Sequence, residues 1–221
     1  MSHADIVSGR LDTPMITPCV PAACPDVMGG GVVRRWGVAL GAVVLGACVY
    51  SAPLIPVARK VTLSYMGFAV DGPKGWYRLG DGNVGEPLIL TRDGLPLQFI
   101  RIERVSSDRR FTHDEKRVGR NMLLKGLAQL EADDIRSAPG VLDFEALENT
   151  PATVGGKPGF RLLCAWKTRD GLRLKRLHYG FLDGQWAYRL IYQAAARHYF
   201  DRDLAAFERV RDSFRLLDAP A

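Results

Sequence analysis

Two Asp-Gly pairs, Asp170-Gly171 and Asp183-Gly184, constrain this chain more than any other feature. The first joins "GFRLLCAWKTR" to "LRLKRLHYGFL", and the second joins that stretch to "QWAYRLIYQAA". Each stretch alternates apolar and polar residues, the period of a half-buried strand. Glycine accepts the positive φ of a tight hairpin turn, so Asp-Gly between alternating runs predicts an antiparallel meander. Asp93-Gly94 repeats the signal between "PLILTR" and "LPLQFIRIER". "VTLSYMGFAV" (61–70) and "GWYRL" (75–79) read as further strands around a Gly-Pro-Lys-Gly turn.

Two segments change period. Thr112 and Glu115 form a Thr-x-x-Glu capping box, and Val118, Met122, Leu123, Leu127 and Leu130 follow at helical spacing, which predicts a helix over 113–133. In "DRDLAAFERVRDSFRLL", Phe200, Leu204, Phe207, Val210 and Phe214 share one helical face, with Asp201 as the expected N-cap. Strands and helices are segregated along the chain, the mark of an α+β domain. There is no internal repeat or low-complexity tract.

The amino-terminal part is made of different material. Residues 1–27 lack any amphipathic period and are broken by Pro14, Pro18, Pro21 and Pro25. Arg34 and Arg35 then precede an apolar run from Trp36 to Leu45, and Leu45-Gly46-Ala47 supply small residues before Cys48. A basic start, an apolar centre and a small-residue end are the three parts of a secretory signal. Leu-Gly-Ala-Cys resembles the lipobox of bacterial lipoproteins. That resemblance implies cleavage between Ala47 and Cys48 and lipid attachment at Cys48, with 28–47 as the signal peptide. Several acyl chains, at about 0.8 kcal/mol per buried CH₂, would hold such a protein firmly on a membrane. The alternative is an uncleaved anchor in the inner membrane, because the uncharged run extends from 36 to 58. Pro53 and Pro56 favour an extended tether over 48–60 instead. Lipoprotein signals start shortly before their arginines, so Met28 is the expected start, and 1–27 an over-extended or disordered stretch. Residue +2 after the cut is Val49 rather than the aspartate that retains such lipoproteins in the inner membrane. The expected location is therefore the outer membrane, facing the periplasm.

The chain has a net charge of +6. Removing 1–47 takes away Arg10, Arg34 and Arg35 but also Asp5, Asp12 and Asp26, so the positive charge stays with the exported part. That favours anionic partners. No nucleic-acid motif accompanies it.

"GFAVDGPKGW" resembles the entry segment of the PsbP-like superfamily, and "FERVRDSFRLL" resembles its closing helix. The resemblance runs from 64 to 217 and implies a PsbP-like domain over 61–217. The implied architecture is a three-layer α/β/α sandwich with a mainly antiparallel sheet. The superfamily holds extrinsic photosystem proteins, a Ran-binding import factor and many bacterial lipoproteins, most of them binding proteins rather than catalysts. It carries over no catalytic residue.

The residues themselves point the same way. His113, His178 and His198 sit in no serine-elbow or His-Glu-x-x-His frame, and no glycine-rich phosphate loop occurs. His113-Asp114-Glu115 are successive helical positions that diverge by about 100°, so no metal site is expected there. The cysteines fit no metal or redox spacing. Cys164 alternates with Phe160, Leu162 and Trp166 and is expected to be a buried core thiol. No cofactor is implied. The one functional hint is the basic hairpin carrying Lys167, Arg169, Arg173, Lys175 and Arg176, a possible contact for an anionic partner. Alternation places Arg173 and Lys175 on one face and Arg176 on the other. Its simpler reading is a charged, solvated edge. Two functions compete: a lipid-anchored, non-enzymatic binding or scaffold module with a protein partner in the envelope, and an anchored hydrolase or small-ligand-binding protein whose site is assembled from distant residues. A deep polar pocket uniting a histidine with carboxylates would favour the second.

Overall fold

The computed structural model describes residues 53–80, 85–108 and 124–217, all within one compact unit spanning Val49–Ala221. The expected signal peptide, Ala47, Cys48, Val49, the expected Thr112–Glu115 capping box and His113 lie outside the described residues.

Among the described residues, eleven strands and two α-helices follow in order. They are β1 (Leu54–Pro56), β2 (Lys60–Leu63), β3 (Phe68–Asp71), β4 (Tyr77–Leu79), β5 (Leu88–Thr91) and β6 (Gln98–Ser106). Next come α1 (Leu124–Ser137), β7 (Leu142–Val154), β8 (Lys157–Lys167), β9 (Arg173–Asp183), β10 (Trp186–Ala195), α2 (Tyr199–Ser213) and β11 (Arg215–Leu216). Eight strands form one sheet in the order β1-β4-β5-β6-β10-β9-β8-β7. A second sheet runs β11-β3-β2, and every pairing in both is antiparallel.

The Asp-Gly hairpins are present. Lys167 pairs with Arg173 around Asp170-Gly171, and Asp183 pairs with Trp186 across Gly184 and Gln185. Gly171 and Gly184 both take positive φ. The meander has one more strand than expected, because β7 pairs with β8 through the Gly155-Gly156 turn. β7 is an edge strand with mostly exposed side chains and Pro151, so it lacks the apolar alternation that marks a buried strand. The expected strand 61–70 is really a hairpin. Gly67 takes φ 70° after the turn Ser64–Met66, and the chain folds back from β2 to β3. Residues 54–56 of the expected tether pair with β4.

Alternation sorts the two faces of the large sheet. Leu177, Tyr179 and Phe181 of β9 and Leu190 and Tyr192 of β10 meet Phe207 and Val210 of α2 in the main core. There Phe68 stacks on Phe214 at 5.3 Å, and Phe181 meets Phe214 edge-on at 5.7 Å. Fully burying such a side chain contributes about 1.5–3 kcal/mol. The other face of β8 and β9 carries Phe160, Leu162, Cys164, Arg176, His178 and Gly180. Leu127, Ala128 and Ala132 of α1 pack on Phe160 and Leu162 there. A Cβ on Gly180 would lie 2.5 Å from the Phe160 ring, so only glycine lets that ring lie flat on β9.

The three-layer α/β/α sandwich that the PsbP-like resemblance implied is not the architecture found. Strands dominate, and only two helices occur among the described residues. α1 packs chiefly on β7 and β8, at one end of the large sheet. On the opposite face α2 shares the cover with the β11-β3-β2 sheet. The hairpin at Gly67 is the physical cause, since it turns an expected strand of the main sheet into a second sheet that fills part of the place of a helical layer.

The helix expected at 113–133 is described over Leu124–Ser137, ending four residues later than predicted. α2 begins after His198, whose φ of 71° makes the cap by backbone geometry, and Asp201 sits in the first turn. There its carboxylate faces the positive end of the helix dipole.

Candidate functional site

The basic hairpin is mostly engaged within its own chain. Lys167 pairs with Asp143 at 2.8 Å and Arg173 with Glu145 at 2.8 Å. Lys175 lies over the Phe200 ring at 5.2 Å, with Asp201 at 4.0 Å. Arg176 is on the opposite face, where its guanidinium donates two hydrogen bonds to Gln193 Oε1 and lies over Trp166. The split of Arg173 and Lys175 from Arg176 follows the alternation of β9. Arg169, at the turn, lies beside Gly140.

A second group was not foreseen. Glu103 of β6 faces Arg189 of β10, and the pair is 2.9 Å apart between Oε1 and Nη1. Arg189 also pairs with Glu131 of α1. Two residues along β9 from Gly180, the register partner of Arg189, His178 Nδ1 lies 3.8 Å from Glu131 Oε2, and the ring sits edge-on to Phe160 at 5.1 Å. Neither ring nitrogen has a hydrogen-bond partner among the described residues. Arg101 at the rim pairs with Glu103 at 2.6 Å. Antiparallel register places Glu103, Arg189 and His178 near one another on one face, and α1 brings Glu131 to them.

Burial governs the charges in this group. Loss of hydration raises the Glu131 carboxyl above its usual range, against the pull of Arg189. Burial drives His178 well below its usual 6.5, and the positive charges of Arg189 and Arg176 add to it. His178 is therefore neutral at physiological pH. Burial opposes the charge on Arg189 too, but Glu131 and Glu103 outweigh it and raise its pKa. The arrangement does unite a histidine with carboxylates from distant residues. It is closed, however: His178 is 0% exposed and Glu131 and Glu103 are 4% exposed.

The other nucleophile and base candidates are dispersed. Cys164 is a free thiol at 0% exposure, and burial raises its pKa to about 11. It is the buried core thiol that alternation predicted. His198 is exposed and precedes α2, on the far side of the sheet from His178. Among the described residues no group of three or more His, Cys, Asp or Glu side chains could hold a metal ion. No described helix is long and apolar enough to cross a membrane.

Glu131 left one mark in the sequence. It follows Leu127 by four residues and so falls on the apolar stripe of its helix. Glu103 and Arg189 are ordinary charges in alternating strands, and nothing but register brings them together.

A cavity of about 290 Å³ lies at the other end of the sheet, lined by residues 55–62 except Arg59, together with Arg78 and Gly80. Arg78 was read only as a strand residue.

No protein-family model matches this chain, and no curated protein matches it. Solved structures do. The solution structure of cyanobacterial PsbP (CyanoP) from Synechocystis sp. PCC 6803 aligns with a TM-score of 0.50 at 16% identity, over 78% of this chain and 98% of that one. The Ran-binding protein Mog1p of Saccharomyces cerevisiae aligns with a TM-score of 0.50 at 11% identity, over 76% of this chain and 97% of that one. The likeness is one of fold, and the fold is PsbP-like.

Proposed function

We propose that this chain is a lipid-anchored protein of the cell envelope and acts as a non-enzymatic binding or scaffold module. Cys48 carries the lipid, and the domain faces the periplasm from the outer membrane. Arg34-Arg35, the apolar run and Leu45-Gly46-Ala47-Cys48 support the anchor, and Val49 at position +2 supports the outer membrane. The observation that carries the non-enzymatic reading is the closure of His178. The histidine that stands beside carboxylates is sealed under α1 and held neutral. Mog1p, which shares the fold, is a Ran-binding protein, and by analogy the partner here is a protein. On the hairpin, Lys167, Arg169 and Arg173 are the exposed cations an acidic partner can reach, since surface pairs such as Lys167–Asp143 exchange readily.

Cys48→Ala tests the anchor. Labelled palmitate should fail to incorporate and the precursor should persist at full size. Unchanged labelling and processing would refute it. Membrane fractionation tests location, and recovery in inner-membrane fractions counts against the outer membrane.

A further inference from the structure

The 290 Å³ cavity is formed where the chain leaves the large sheet for the small one. Ile55 of β1 pairs with Arg78 of β4, Val57 donates its N–H to Trp76 O at 3.0 Å, and β2 starts at Lys60 opposite Asp71. The walls are Ile55, Pro56, Val57 and Val61, and among the described residues the ionisable side chains in the lining are Lys60 and Arg78. Both are cations.

Arg78 is an exception among the arginines. Arg101, Arg104, Arg161, Arg176, Arg189 and Arg211 are also half-buried, and each meets an acceptor: Glu103, Tyr65 O, Glu148, Gln193, Glu131 and Glu208. Arg78 has no side-chain hydrogen bond or ion pair among the described residues, and its Nε is out of solvent with no partner. A guanidinium whose Nε is out of water and unpaired costs stability that an arriving acceptor would return. The planar fork of Arg78 beside the mobile ammonium of Lys60 matches the oxygens of a tetrahedral oxyanion. The apolar walls suit a short hydrocarbon substituent, and the volume is at the small end for a ligand site.

We propose that this cavity is an anion-binding site that takes a phosphate group, carried either on a soluble ester or on the headgroup of an anionic phospholipid. The site stands on Arg78 and Lys60 whether or not Cys48 carries lipid. Gly80 and Thr62 also line it, and no carboxylate is among its described lining residues, the Glu86 carboxylate lying beyond Gly80, 3.6 Å from where a Cβ there would stand.

The test is thermal unfolding of the full chain in neutral detergent micelles. The soluble probe is glycerol 3-phosphate, compared with chloride at equal ionic strength. The lipid probe is phosphatidylglycerol doped into the micelles, compared with phosphatidylcholine at equal mole fraction. Either probe should raise Tm by about 3 °C or more at saturating concentration. A rise with both assigns the site to soluble esters as well as headgroups, and a rise with phosphatidylglycerol alone assigns it to the headgroup. Arg78→Met should abolish the rise while leaving Tm without probe unchanged or higher. Lys60→Met, a change at an exposed side chain, should reduce the rise. Arg209→Met removes one equal charge from the exposed side of α2 and should leave the rise intact. No rise with either probe overturns the proposal. So does a rise that survives both Arg78→Met and Lys60→Met, or one that Arg209→Met removes as fully, since that would be the net charge at work.

Discussion

Arg189 of β10 forms an ion pair with Glu131 of α1, so a single guanidinium ties the helix to the sheet. Glu103 holds the same guanidinium from the neighbouring strand. Removing Glu131 leaves Arg189 with one acid instead of two. Glu131→Ala should therefore cost about 2–3 kcal/mol in urea unfolding. In a double-mutant cycle with Arg189→Met, the coupling should be about 1–2 kcal/mol. Additive effects would show that the pair contributes no specific tie.

His178 should make the protein acid-sensitive. Its folded pKa is depressed by burial and by Arg189 and Arg176, while in the unfolded chain it returns to about 6.5. Below that value the unfolded state binds a proton that the folded state refuses. Stability is therefore full above about pH 7 and falls as pH drops through 6.5. Glu131 works in the opposite direction at lower pH, because its folded pKa is raised above 4.5 and folding favours its protonated form. Between about pH 7.5 and 5.5 the histidine governs. His178→Phe should flatten the fall of Tm over that range, and an unchanged slope in the variant would contradict this.

Cys164 should be unreactive in the native state. The thiol is fully buried and its pKa is raised to about 11. The chain from residue 49 onward should take up a thiol reagent only in denaturant. Rapid labelling under native conditions, or a disulfide-linked dimer on a non-reducing gel, would show an exposed thiol.

Gly180→Ala should destabilise. The added methyl would meet Phe160 Cε1 and Cζ at 2.5 Å, and the ring cannot retreat without disturbing its contact with His178 and α1. Overpacking of this kind costs about 1–3 kcal/mol. Phe160→Leu in the same background should recover part of the loss, and its failure to do so would place the clash elsewhere.

Phe214→Ala tests the closing segment. The ring stacks on Phe68 and meets Phe181 and Tyr188 edge-on. Its loss should cost about 3–5 kcal/mol by calorimetry or urea. A loss under 1 kcal/mol would show that the core refills the space.

The sequence by itself determined the local elements and their buried faces. Asp-Gly turns, period-2 alternation and the aromatic stripe from Phe200 to Phe214 act over a few residues, and local sterics plus burial suffice to read them. Cys164 was legible for the same reason, as one position on an apolar strand face. The edge strand β7 was hidden because most of its side chains are exposed, so no alternating burial pattern marks it. Tertiary structure alone decided how the elements cover one another. The hairpin at Gly67 makes a second sheet where a helical layer was expected, because that glycine's positive φ is a choice between two allowed basins that only packing selects. Tertiary structure alone also assembled Glu103, Glu131, His178 and Arg189, and left Arg78 unpaired beside a cavity. Charges far apart in sequence meet through strand register, and register is set by the whole sheet rather than by any segment of it.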